Sequence, residues 1–207
     1  SYQARQYCTV FLNISKEESM TAFTTEKIDV EPWFDMELFM GVSQETRLGG
    51  DVMDRFMTLW KNWLPHLTVK GIDTGKIKYL LVALDESVEQ DVDKAWEGSP
   101  SNAFLYNALA QTMCMAAVHA VIPEVQDAGC APAPKPTATL REALEAEGIP
   151  YSNDKDPILS RRYAVVTHYP FKGGCEICVL QSNCPKGQGQ MEATSVVLPG
   201  YEHPQQM

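Results

Sequence analysis

The sequence predicts an α+β fold that is predominantly α-helical. It should contain four to five packed helices, a small sheet made from strands near the termini, and a C-terminal cysteine loop. Three observations predict this. Apolar residues recur at helical spacing through the middle of the chain, from Val52 to Val118. Short β-prone runs fall near both ends, at residues 8–14, 163–168 and 194–198. Cys175, Cys178 and Cys184 form a C-x2-C-x5-C run between Gly173-Gly174 and Pro185-Lys186-Gly187. The 207 residues suit a single domain over 1–207, with a helical body over about 15–150 and a cysteine-loop region over about 160–200.

Composition narrows the classes. An apolar fraction of 44% with four tryptophans fits a packed core that needs no disulfides. The net charge of −10 argues against nonspecific nucleic-acid binding, which needs clustered Lys and Arg. The basic pair Arg161-Arg162 is too small to change that. No run of 18 apolar residues occurs, so no membrane span is expected. Residues 1–6 carry no signal-peptide core. Six cysteines permit three disulfides, yet their clustering looks more like ligation in a reducing cytoplasm than a disulfide framework.

The elements follow in order. Residues 8–14 read as a strand, and Ser15 with Glu18 as the capping box of a brief helix. Pro32 and Gly41 bracket a helix containing Trp33, Phe34, Met36, Leu38, Phe39 and Met40. Asp51 reads as the N-cap of a helix with Val52, Phe56, Leu59, Trp60 and Trp63 on one stripe, ending at Pro65. Residues 76–97 read as one long amphipathic helix, its stripe Ile77, Leu80, Leu81, Leu84, Val88, Val92 and Trp96. Its acids, Asp85, Glu86, Glu89, Asp91 and Asp93, read as a solvated face. Residues 101–122 form the most apolar helix, whose alanines permit close packing. Three alternating prolines make residues 128–137 an extended linker. Thr139 and Glu142 read as the capping box of a short helix stopped by Gly148-Ile149-Pro150.

The chemistry concentrates in the cysteine loop. A two-residue gap lets neighbouring thiolates share one ion or cluster, and glycines let backbone amides approach the sulfurs. Three thiolates are one short of the four that zinc or a cubane cluster takes. Candidates for the fourth ligand are Cys8, Cys114, Cys130 and His168. A sheet joining the two ends would favour Cys8, giving the set Cys8, Cys175, Cys178 and Cys184. Cys114 lies on the most apolar helix and reads as core. Cys184-Pro185 favours an iron–sulfur cluster, [4Fe–4S], over zinc. A distant N-terminal cysteine joined to a C-terminal C-x2-C-x5-C triplet resembles the cluster staple of some RecB-type nuclease domains. The resemblance covers the cysteines alone and implies the staple, not nuclease activity.

Two other readings stay open. Gly174-Cys175-Glu176-Ile177-Cys178 in a helical protein resembles the alkylhydroperoxidase D family, which implies attack by Cys178 and resolution by Cys175. That family has a histidine shortly after the second cysteine, where Ser182 stands here. The third reading is a non-enzymatic binding or chaperone protein with Trp33, Phe34 and Phe39 on a contact surface. A protein or redox partner, or a second copy of the chain, fits these readings. There is no P-loop, dinucleotide fingerprint, H-E-x-x-H or C-x-x-C-H motif.

Overall fold

The computed structural model describes residues 22–184. Along them run β1 (Thr24–Lys27), α1 (Met36–Ser43), α2 (Gly50–Trp63), β2 (Leu67–Asp73) and β3 (Lys78–Leu84). Then come α3 (Glu86–Gly98), α4 (Pro100–Val121), α5 (Glu124–Ala128), α6 (Ala138–Ala146) and β4 (Ala164–His168). The fold is α+β and helix-rich, as the sequence predicts. The sheet is antiparallel throughout, in the order β1-β2-β3-β4. The strands expected at 8–14 and 194–198, the helix near Ser15, and Cys8 lie outside the described residues.

The main correction falls at 76–97. The segment is not one helix: it divides into β3 and α3, with Asp85 between them as N-cap, accepting from Ser87 N at 2.8 Å. The physical reason is that β3 is covered on both faces. Leu80, Val82 and Leu84 enter the larger core, while Tyr79, Leu81 and Ala83 enter the smaller one. A strand buried on both sides loses the alternation that marks strands, and Leu80, Leu81 and Leu84 happen to match helical spacing. Its hairpin partner, β2, went unpredicted. The turn between them is held by Gly75, at φ 76°, whose amide donates to Asp73 Oδ1 at 2.7 Å.

Helices α1, α2, α3, α4 and α5 supply the large core on one face of the sheet. Leu140, Ala143 and Leu144 of α6 cover the other face with Ile149 and Tyr151. Lys70 of β2 pairs with Glu147 just past α6. The central helix is α4, buried continuously from Ala108 to Val118. By length and composition α4 could cross a membrane; here it is packed as the core helix against α1, α3 and β3.

Cap positions also shift. Asp35, not Pro32, starts α1, accepting from Leu38 N at 3.0 Å. Gly49 caps α2, with Asp51 in its first turn. Thr137, not Thr139, caps α6, accepting from Leu140 N at 3.2 Å. The acids of α3 hold partners as well as meeting solvent. Arg162 donates to both Asp93 oxygens at 2.7 and 3.3 Å, and its amide donates to Glu89 at 2.8 Å. These contacts tie the approach to β4 onto α3.

Candidate functional site

The cysteine loop begins where β4 ends. Tyr169 N still donates to Lys78 O at 3.0 Å, and Phe171 packs on the larger core. Gly173 then adopts φ 149°, a region that disfavours side chains. A Cβ there would sit 2.5 Å from Glu176 Oε1. The glycine therefore makes room for the Glu176 carboxylate, which folds back to accept from Gly174 N at 2.9 Å. Its own backbone amide and that of Gly174 hold the Glu176 carboxyl below the usual range. The sequence suggested that these glycines serve the sulfurs; they serve Glu176.

Two single 3-10 turns follow. Cys175–Ile177 is closed by Cys178 N donating to Cys175 O at 3.2 Å. Gln181–Asn183 is closed by Cys184 N donating to Gln181 O at 3.3 Å. Cys178 and Cys184 thus hold equivalent places, each ending a turn with extended backbone at ψ 123°. Cys175, Cys178 and Cys184 are free thiols and half-buried.

The loop docks on the linker between α5 and α6. Ala133 N donates to Cys178 Sγ at 3.4 Å, and Val179 N donates to Ala133 O at 3.0 Å. The linker carries no regular secondary structure from residue 131 to 137, and residues 131–134 are buried. Thr167 of β4 fixes it from below, donating from its buried hydroxyl to Pro132 O at 2.9 Å. Ala133, Thr167 and Glu176 are the site residues that spacing alone did not reveal. Their only signal was the proline pattern beside Cys130 and the glycine pair before Cys175.

The fourth-ligand candidates separate by position. Cys114 is fully buried on α4, its sulfur 3.6 Å from Tyr163 O, and burial pushes its thiol up to about 12. That is the core role expected of it. His168 follows Thr167 on β4 and faces the opposite side of the sheet, where its ring lies 5.5 Å from Tyr79. Burial lowers the His168 imidazole from its ordinary value, and Lys172 adds to this. Cys130 lies half-buried at the start of the linker. Among the described residues, no three His, Cys, Asp or Glu side chains stand close enough together to hold a metal ion.

Other clusters do less. His66, Asp85 and Ser87 meet at the start of α3, with His66 Nδ1 2.6 Å from Asp85 Oδ2 and 3.3 Å from Ser87 Oγ. A nucleophilic triad needs serine and carboxylate on opposite ring nitrogens. Both lie on Nδ1 here, so the group caps a helix. Of the three aromatics that the sequence offers as a contact surface, Phe39 is buried and Phe34 packs on Phe39 and Trp60; Trp33 is 72% exposed.

No protein-family model, curated protein or solved structure matches the chain.

Proposed function

We propose that the chain is a metal-binding protein of iron–sulfur type, serving electron transfer or the maturation of redox enzymes in a reducing compartment. Its site is built on Cys175, Cys178 and Cys184. One observation carries this reading: three accessible thiols sit on two consecutive short turns, and one sulfur accepts a backbone N–H from a buried linker. Amide hydrogen bonds to sulfur are what tune a thiolate-ligated cluster. Ligation would also tie the loop to the body of the fold and so add to its stability. The dithiol reading has less support, because the Glu176 carboxylate occupies the amides at the start of the Cys175 turn, where a reactive cysteine needs a positive environment.

Isolation without oxygen, a visible spectrum, and iron, zinc and sulfide analysis test the proposal. Broad visible absorption with iron and sulfide supports a cluster. A colourless chain with one zinc keeps the site and replaces the cofactor. Metal content unchanged by Cys175→Ala with Cys178→Ala overturns the site.

A further inference from the structure

We infer that Cys175 and Cys178 are a reversible redox pair, joined as a disulfide when a small-molecule disulfide oxidises the chain. The inference needs no metal and stands or falls apart from the reading above. Its basis is the turn Cys175–Ile177, closed by Cys178 N donating to Cys175 O at 3.2 Å. A turn with that bond holds its first and fourth Cα atoms within about 7 Å of each other. Disulfides join Cα atoms about 4.4–6.8 Å apart, so the backbone already brings these two cysteines within bonding reach. Both are free and half-buried, so an oxidant can reach them.

Among the described residues, no other two cysteines are joined by a closed turn. The second turn of the loop closes in the same way, by Cys184 N on Gln181 O, so the residue facing Cys184 across that turn is a glutamine. Cys114 is sealed in the core. Glu176 sets the character of the pair. Its carboxylate accepts from Gly174 N at 2.9 Å, next to Cys175, where a fast attacking thiol needs positive charge. The pair is therefore a switch that follows the redox poise around it, not the dithiol of a rapid catalyst. The switch acts on the docking of the loop. Cys178 Sγ accepts from Ala133 N at 3.4 Å, and a disulfide sulfur accepts less well than a thiolate, so oxidation weakens that contact.

The step is thiol–disulfide exchange with glutathione disulfide or a compound of its class. One loop thiolate attacks a glutathione sulfur, the glutathione S–S bond breaks, and one glutathione leaves as its thiolate. The other loop thiolate then attacks the mixed disulfide, and the second glutathione leaves. An S–S bond now joins Cys175 to Cys178. Two electrons have passed to the oxidant, and the two protons of the loop thiols end on the two glutathione thiols.

The test keeps the full chain metal-free with a chelator and equilibrates it with reduced and oxidised glutathione at a series of ratios. Free thiols are then trapped by alkylation and mapped by mass spectrometry. As the ratio becomes oxidising, Cys175 and Cys178 should lose alkylation together, with no glutathione mass on either. Cleavage after Glu176 should leave the two halves of the turn joined until a reductant is added. Cys184→Ser should behave as wild type does. Cys178→Ser should leave Cys175 holding a lasting mixed disulfide with glutathione, and Cys175→Ser should do the same to Cys178. The Ala133 amide should exchange hydrogen faster in the oxidised chain. Both thiols still alkylated at the most oxidising ratio overturns the pair. So does lasting glutathione mass on either cysteine in wild type, or a disulfide from either to Cys130 or Cys184. Exchange at Ala133 that oxidation leaves unchanged overturns the effect on docking. Because metal binding is read separately on the reduced chain, failure of the pair and failure of the metal site are distinguishable.

Discussion

The amide of Ala133 donates to the sulfur of Cys178 across 3.4 Å, joining a proline-rich linker to a loop 45 residues further along the chain. This bond makes the three loop cysteines unequal in the metal-free chain. Cys178→Ala leaves the amide without its acceptor and should cost the metal-free, reduced chain roughly 0.5–1 kcal/mol in urea unfolding. Cys175→Ala and Cys184→Ala remove half-buried thiols that make no such bond among the described residues, and should stay within about 0.5 kcal/mol of wild type. Equal costs for all three would mean that the docking contact contributes nothing.

Gly173 and Glu176 form a second dependent pair. An alanine at 173 has both an unfavourable φ and a Cβ in the place of the carboxylate. Strain of this kind costs about 1–3 kcal/mol and should appear as faster hydrogen exchange at the loop amides. The Glu176 carboxyl is held below its ordinary value of 4.5, so the contribution of its bonds is fully present above that pH. It is lost as pH falls through the lowered folded value. Protection of the Gly174 amide should therefore decline below about pH 4.5 and be insensitive to acid in Glu176→Gln. Protection that is the same in both proteins at every pH contradicts the contact.

Cys114 behaves oppositely, on the alkaline side. Burial raises its thiol from 9.0 to about 12, so its contribution to stability is complete below pH 9 and is lost as pH rises towards 12. Iodoacetamide at pH 8 should label the loop cysteines of the folded chain and reach Cys114 only after denaturant is added. Cys114→Ala should flatten the loss of stability above pH 9. Rapid labelling of Cys114 in the native chain would contradict its burial.

Much of this was legible in residue order, where one physical signal dominated. The apolar run of α4 and the β-prone run of β4 needed only local pattern. The strand β3 was hidden because burial on two faces erases alternation, and no local signal separates such a run from a helix turn. The hairpin with β2 is hidden for the same reason, since the spacing in β3 matches a helix and leaves β2 no visible partner. The loop cysteines were visible from their spacing, but not what they touch. Ala133 has no side-chain chemistry to announce it; its role lies in a backbone amide left over between two prolines. Glu176 looked like a spacer between cysteines, because its fold-back depends on the φ of Gly173.

Metal ligation by the loop cysteines is tested most directly by X-ray absorption at the metal edge of the full chain, isolated without oxygen. A metal held by the loop cysteines should show nearest neighbours of sulfur alone at about 2.3 Å, with added iron–iron scattering where the metal is a cluster. A metal shell made of nitrogen and oxygen, or a chain that holds no metal in its reduced state, would contradict it.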